Sequence, residues 1–408
     1  METTPITERS GERTTLEGLG GRLCAVAGAI GLAALAVAAV IGWTAGDGLR
    51  HFFHAYLTSY AFFLSISLGA LCFVAIQHVT RAGWSVAVRR LAELLAGNLP
   101  LLAFLFLPIL LPMLLGNHSL YPWTDPKVVA QSELIQHKEP YLNLPFFTAR
   151  CVLYFTAWMG LAGFFLRRSL RQDESGEIGL TRTMERLSGP ALILFGVTVT
   201  FAAFDLLMSL SPEWFSTMFG IYYFAGAILA GVAAVIVAAV AVQATGRLTA
   251  SITAEHYHDL GKHLFGFTFF WGYVAFSQYM LIWYANIPEE TVWYLTRQTG
   301  PWAAVSLVLL VGHLLIPFVG LLPRWAKRCK AVLSFWAVWL LAFHWLDMYY
   351  LVMPNVSVER LPLGAVDLLV LVGLGGLYLA GLAGVAGHHS LVPARDPRLG
   401  ESLAFENP

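Results

Sequence analysis

Charge is what this chain has least of. Only 12% of its 408 residues are Asp, Glu, Lys or Arg, while 57% are hydrophobic and the mean hydropathy is +0.66. A soluble protein of this length would need far more charge to cover its surface, so the composition predicts a polytopic membrane protein. Acidic and basic residues balance to a formal net charge of zero, which removes the general case for nucleic acid as a partner. Cysteine is scarce as well: Cys24, Cys72, Cys151 and Cys329 form no CxxC and no CxxCH. The chain therefore offers no iron–sulfur ligand set and no c-type haem attachment site. Its thiols read as small buried apolar residues.

What is abundant is apolar sequence in runs near the ~20 residues that cross a bilayer. These runs are 22–43, 55–76, 91–115, 145–166, 187–209, 218–243, 263–286, 301–320, 331–352 and 364–386. The predicted fold is an all-α polytopic membrane protein with about ten transmembrane helices. The first run is too long for the apolar core of a cleaved signal peptide and follows a polar arm, 1–21, so it reads as a retained anchor. Ten crossings put both termini on one side. Lys and Arg favour that side by roughly three to one, which predicts cytoplasmic termini. The longest outer loop, 116–144, carries Tyr121-Pro122-Trp123 and is expected to meet a partner or cover a site. Segment 167–186 is expected as a charged cytoplasmic connection with a solvated turn at 173–177, and the tail 387–408 as extended or disordered.

Two aspartates mark a repeat. Phe204-Asp205-Leu206-Leu207-Met208 is closed by Pro212, and Leu346-Asp347-Met348-Tyr349-Tyr350 by Pro354, so in each the proline falls seven residues after the acid. A carboxylate within a bilayer-length segment costs roughly 2.5–3.5 kcal/mol on insertion scales, which makes it a functional hypothesis by default. Each acid also follows another hydrophobic stretch and a basic loop, Arg167-Arg168 in one case and Arg324, Lys327 and Arg328 in the other. An even number of helices separates the halves, so both lie the same way up. This predicts two parallel-repeat four-helix bundles, helices two to five (55–209) and six to nine (218–352), with helices one and ten peripheral, in one membrane domain, 22–386.

Helix seven carries the densest polar signal. His263, Gly266, Phe270, Tyr273, Ser277, Met280 and Tyr284 recur at three- and four-residue steps, with Gln278 beside them. The stripe is expected to face the bundle interior, as a proton path or the wall of a quinone pocket, the bland alternative being interhelical hydrogen bonds. His344 and Asp347 are three apart and share a face, where a carboxylate bonded to imidazole would handle protons or seal the outer end of the bundle. Asp205 needs a partner from elsewhere: Arg150, Tyr222 or Tyr223, an Asp–Arg pair being mainly structural. His313, Glu93 and His263 are expected to line a cytoplasmic half-channel, although His313 alone reads equally well as a satisfied core histidine. Asp367 is expected near interfacial water. Haem b would need opposed histidines at matched depth. His51, His54 and His78 lie at or outside interfaces, and His313 and His344 differ in depth, which argues against it.

The ten helices, the helix-seven run Phe276-Ser277-Gln278-Tyr279-Met280-Leu281-Ile282-Trp283-Tyr284-Ala285-Asn286-Ile287-Pro288-Glu289-Glu290-Thr291 and the helix-two opening Tyr56-Leu57-Thr58-Ser59-Tyr60 carry a family resemblance. Together they resemble the NrfD-like/polysulfide-reductase membrane family, and within it the second, ActF-type membrane subunit of bacterial alternative complex III. The resemblance covers nearly the whole chain beyond its first twenty residues; the helix-seven run is its specific part. It implies an integral subunit of a quinol:cytochrome c, or other periplasmic acceptor, oxidoreductase in the bacterial inner membrane. The implied partners are a sister NrfD-like membrane subunit, a periplasmic iron–sulfur protein, multihaem and monohaem cytochromes c, and a terminal oxidase, with lipids around them. Haem c and iron–sulfur clusters would reside on those partners and no cofactor on this chain. Its own role would be support of assembly, with proton conduction through half-channels and quinone or menaquinone binding as further roles. The rival readings are a secondary transporter with duplicated bundles, which predicts broken helices at equivalent places in both halves, and a purely structural anchor.

Overall fold

The computed structural model describes residues 12–387 and 389–407, which fold into helices and connecting turns without a strand. Ten long helices follow one another: α1 (Gly18–Thr44), α2 (Arg50–Val79), α3 (Val86–Leu114), α4 (Leu144–Ser175), α5 (Ile178–Leu210), α6 (Phe219–Ala244), α7 (Ala254–Ala285), α8 (Gly300–Leu321), α9 (Lys330–Asn355) and α10 (Ala365–Ala386). Among the described residues, nine of these are long and apolar enough to cross a membrane. The tenth, α7, has 32 residues and ample length; its Trp, Tyr and Gln side chains lower its apolarity. The chain is an all-α polytopic membrane protein.

Several helices run roughly one to three turns beyond the apolar runs, because Arg, Glu and Lys are good helix formers once past the bilayer. The expected connection between helices four and five therefore shrinks to Gly176–Glu177, with Gly176 in the left-handed region at φ +68. α2 and α6 are the most enclosed spans, 94% and 72% buried over their apolar windows. They cross where Gly69 meets Gly231, and a Cβ on either would overlap the other helix's backbone. α1 and α10 pack on each other outside α2. α3 is broken into Val86–Ala96, Leu99–Leu105 and Leu107–Leu114, since Pro100 and Pro108 cannot donate to the helical ladder.

The segment before α1 and the segment after α10 meet at one end of the bundle, where Leu391 N donates to Thr14 O at 2.7 Å. The tail, expected to lie extended over a surface or to be disordered, packs on the bundle. It buries Leu391, Val392 and Leu399 and ends in a short helix, Leu399–Leu403. Ser402 Oγ donates to Trp84 O (2.6 Å), accepts from Ala87 N (3.1 Å) and lies 3.1 Å from His256 Nε2 of α7. The tail thus straps α3 to α7. Of the cysteines, Cys72 and Cys151 are buried and Cys24 is half-buried; Cys329, expected inside, is exposed on the short turn before α9.

Candidate functional site

Asp205 lies buried near the end of α5. Arg150, in the second turn of α4, grips it through Nε to Oδ2 and Nη2 to Oδ1, each at 2.8 Å, and Tyr154 adds its hydroxyl to Oδ2 at 2.7 Å. The guanidinium also donates to Tyr141 O at 2.9 Å and lies 3.8 Å from the Tyr141 ring centroid. Of the three partners considered from sequence, Arg150 holds the acid; Tyr223 donates to Ala61 O instead, at 3.0 Å. The loop before α4 covers this pair, with Tyr121 donating to Leu206 O at 2.9 Å. A bidentate, charge-assisted pair closed over by a loop is a lock.

Asp347 occupies the corresponding place near the end of α9 and is just as buried. Its donors are neutral: the Tyr222 hydroxyl from α6 on Oδ1, and the Trp271 indole N–H from α7 on Oδ2 at 3.1 Å. No ion pair reaches it among the described residues. The basic residue that precedes α8, Arg297, turns elsewhere. It donates to the carbonyls of Tyr350 (3.3 Å) and Leu351 (3.1 Å) at the end of α9 and stacks 3.5 Å from Trp293. Burial there pulls its pKa down to about 10, which still leaves it charged at neutral pH. The two acids are equally buried and differ in their partners: Asp205 has a fixed counter-ion, and Asp347 has two neutral donors.

His344, one turn before Asp347, does not hydrogen-bond to it. Sharing a face was not enough, because the partners come from other helices. Its Nε2 lies 2.8 Å from Ser65 Oγ of α2, which in turn donates to Phe62 O at 2.7 Å. With the serine hydrogen given to that carbonyl, Nε2–H must be the donor, which leaves Nδ1 an acceptor. Nδ1 has no partner, and it faces Gly226 of α6, where a Cβ would lie 2.7 Å from Cε1 and 3.1 Å from Nδ1.

His313 was placed in a half-channel with Glu93 and His263, at a different depth from His344. The structure puts it against the Asp347 cluster instead. Its ring centroid is 3.9 Å from that of Trp271 and 6.2 Å from that of His344, and both its nitrogens are buried without a partner. A π-type turn, Leu310–Leu315, carries it. Pro317 lacks the N–H that the His313 carbonyl would accept in a regular α-helix, which favours the wider turn. Three ring nitrogens without partners, each costing about 1–3 kcal/mol if unsatisfied, thus lie on two neighbouring imidazoles, one of them packed on the indole that donates to Asp347. Such a cluster is equipped to take up, hold and release protons.

The remaining predicted residues lie elsewhere. Glu93 accepts from Arg89 (3.2 Å) and Arg90 (2.9 Å), and these continue to Asp396 (2.5 Å) and Asp173 (2.8 Å), so it belongs to the clasp that holds the tail. His263 is half-buried, with Nδ1 2.8 Å from the Asp259 carbonyl. The α7 stripe does not face inward: Tyr273 is 58% and Tyr284 84% exposed, and Ser277 is half-buried. The buried face is a neighbouring register, Leu264, Thr268, Trp271, Gln278 and Ile282, and Gln278 donates to the Tyr294 hydroxyl at 3.0 Å. Asp367, expected near interfacial water, is buried and lies 3.0 Å from His51 Nε2. Sequence reasoning missed Trp271 and Ser65 as site residues and gave Tyr222 to the wrong acid; an N–H-bearing indole on a polar helix was the available signal.

The chain matches no protein-family model and no curated protein.

Proposed function

We propose that this chain is the integral membrane subunit of a respiratory quinol:acceptor oxidoreductase in a bacterial inner membrane, with both termini cytoplasmic, and that Asp347, His344 and His313 are its proton-handling groups. The observation that carries this reading is a buried carboxylate held by Tyr222 and Trp271 with no cation among the described residues, where that indole packs on His313, both of whose nitrogens are unpaired, and His313 lies 6.2 Å from His344, whose Nδ1 is unpaired. A group that only held helices together would gain from a fixed counter-ion, as Asp205 does in the other repeat. Redox centres would sit on partner subunits, namely a sister membrane subunit, an iron–sulfur protein and c-type cytochromes, in keeping with a chain whose cysteines are isolated. A secondary transporter would break equivalent helices in both halves; here α3 is broken and α7 is continuous.

The test pairs purification with turnover. Native extraction should bring down haem c and iron–sulfur subunits, and Asp347→Asn should lower quinol turnover or proton translocation in the assembled complex. Solo purification with substrate uptake in vesicles, or wild-type turnover and translocation in Asp347→Asn, would overturn the reading.

A further inference from the structure

A cavity of about 670 Å³ lies between α1, α2, α3, α6, α9 and α10, on the same half of the bundle as the two chain ends. Its α6 wall is a single stripe, Ala234, Val237, Ala238, Ala241, Val242 and Thr245. Eleven residues of helix rise about 16 Å, which is one leaflet of a hydrocarbon core ~30 Å thick. Leu19, Leu23 and Leu379 line it and are also exposed on the outer surface, so it opens sideways towards the bilayer.

The wall is apolar, and its hydroxyls are spent. Thr245 donates to Val242 O at 2.7 Å. Ser67 gives its hydrogen to Leu95 O (2.8 Å), so Tyr378 gives its own to Ser67 at 2.9 Å. A quinone ring needs donors for its carbonyl oxygens and would find none here; a hydrocarbon chain needs none. Between Leu19 and Leu23 stands Arg22, exposed and with no hydrogen bond or ion pair among the described residues.

We propose that this cavity holds one acyl chain of a phospholipid from the leaflet on the side of the two termini, with its phosphate against Arg22. The site does not depend on the proton-handling reading. It is tested by native mass spectrometry of the full chain, with any co-purifying subunits, after a delipidating detergent wash. Lipids extracted from the same sample are then identified. Wild-type protein should keep one phospholipid per chain. Ala238→Trp, which fills the cavity, should lower occupancy by at least about fivefold. Ala241→Phe, at an exposed wall position, should do the same and carries the test should the tryptophan variant fail to fold. Arg22→Gln should reduce occupancy about twofold or more. A wild-type chain that retains no phospholipid or an isoprenoid quinone, or wall variants with wild-type occupancy, would overturn the acyl-chain site. Unchanged occupancy in Arg22→Gln would overturn the headgroup contact.

Discussion

Replacing Asp205 and Asp347 each by asparagine should separate a lock from a working acid. In Asp205→Asn, Arg150 keeps its buried position, with a side-chain exposure of 8%, but loses the opposite charge and one of two charge-assisted bonds. Breaking a buried ion pair by removing one partner costs about 3–5 kcal/mol. In Asp347→Asn no charge is orphaned. The amide oxygen can still accept from Tyr222, and the amide nitrogen meets the Trp271 N–H, so one bond is lost at about 1–2 kcal/mol. Urea-induced unfolding in lipid nanodiscs, followed by tryptophan fluorescence, would report both. Asp205→Asn should show the larger loss, and with it poor assembly; Asp347→Asn should fold and assemble but lose turnover. Equal destabilisation by the two, or a larger loss for Asp347→Asn, would refute the distinction between the repeats.

Trp271→Phe keeps the ring against His313 and deletes the donor to Asp347, for a loss of about 1 kcal/mol; combined with Asp347→Asn it should cost less than the sum of the two, and strict additivity would show that the bond does not matter. Gly226→Ala sets a methyl group 2.7 Å from His344, so unfolding should come about 1–3 kcal/mol earlier and the nitrogen NMR signals of His344 should move. Unchanged signals would show that the ring is not wedged there. Asp396→Ala removes one partner of Arg89 and should expose the tail to protease, at a stability loss of about 1–3 kcal/mol; a cleavage rate equal to wild type would refute the strap.

The spans were legible because an apolar run of bilayer length has few other readings, and the two buried acids stood out as a pair because Asp205 and Asp347 stand at the same distance from Pro212 and Pro354. Arg150 was also readable, as a cation near the start of α4. The inner face of α7 was not. Its polar side chains occupy two registers, and the periodicity of Tyr273, Ser277 and Tyr284 is as regular as that of Thr268, Trp271 and Gln278. Which register turns inward is decided by α6 and α9, not by α7. The neighbours of His313 were misjudged for a similar reason: the π-type turn before Pro317 changes the face on which its ring emerges, and spacing alone does not report that change. Glu93 was read as lining a half-channel without regard to Arg89 and Arg90, four and three residues earlier on the same helix, which pair with it. The tail was misread through its Pro-rich composition, since the arginines that hold it lie some three hundred residues earlier in the chain.

That strap has a temporal side. Residues 389–407 leave the ribosome after every long helix has been made, yet they supply Asp396 to Arg89 and the Ser402 bonds that join α3 to α7. Until then the nascent chain holds its two halves by helix packing such as the α2–α6 crossing and the α2–α9 contact, with Arg89 lacking a carboxylate it will later share. A chain whose end has not docked keeps the Glu93 and Asp173 partners of Arg89 and Arg90 but lacks the bonds that Asp396 and Ser402 supply.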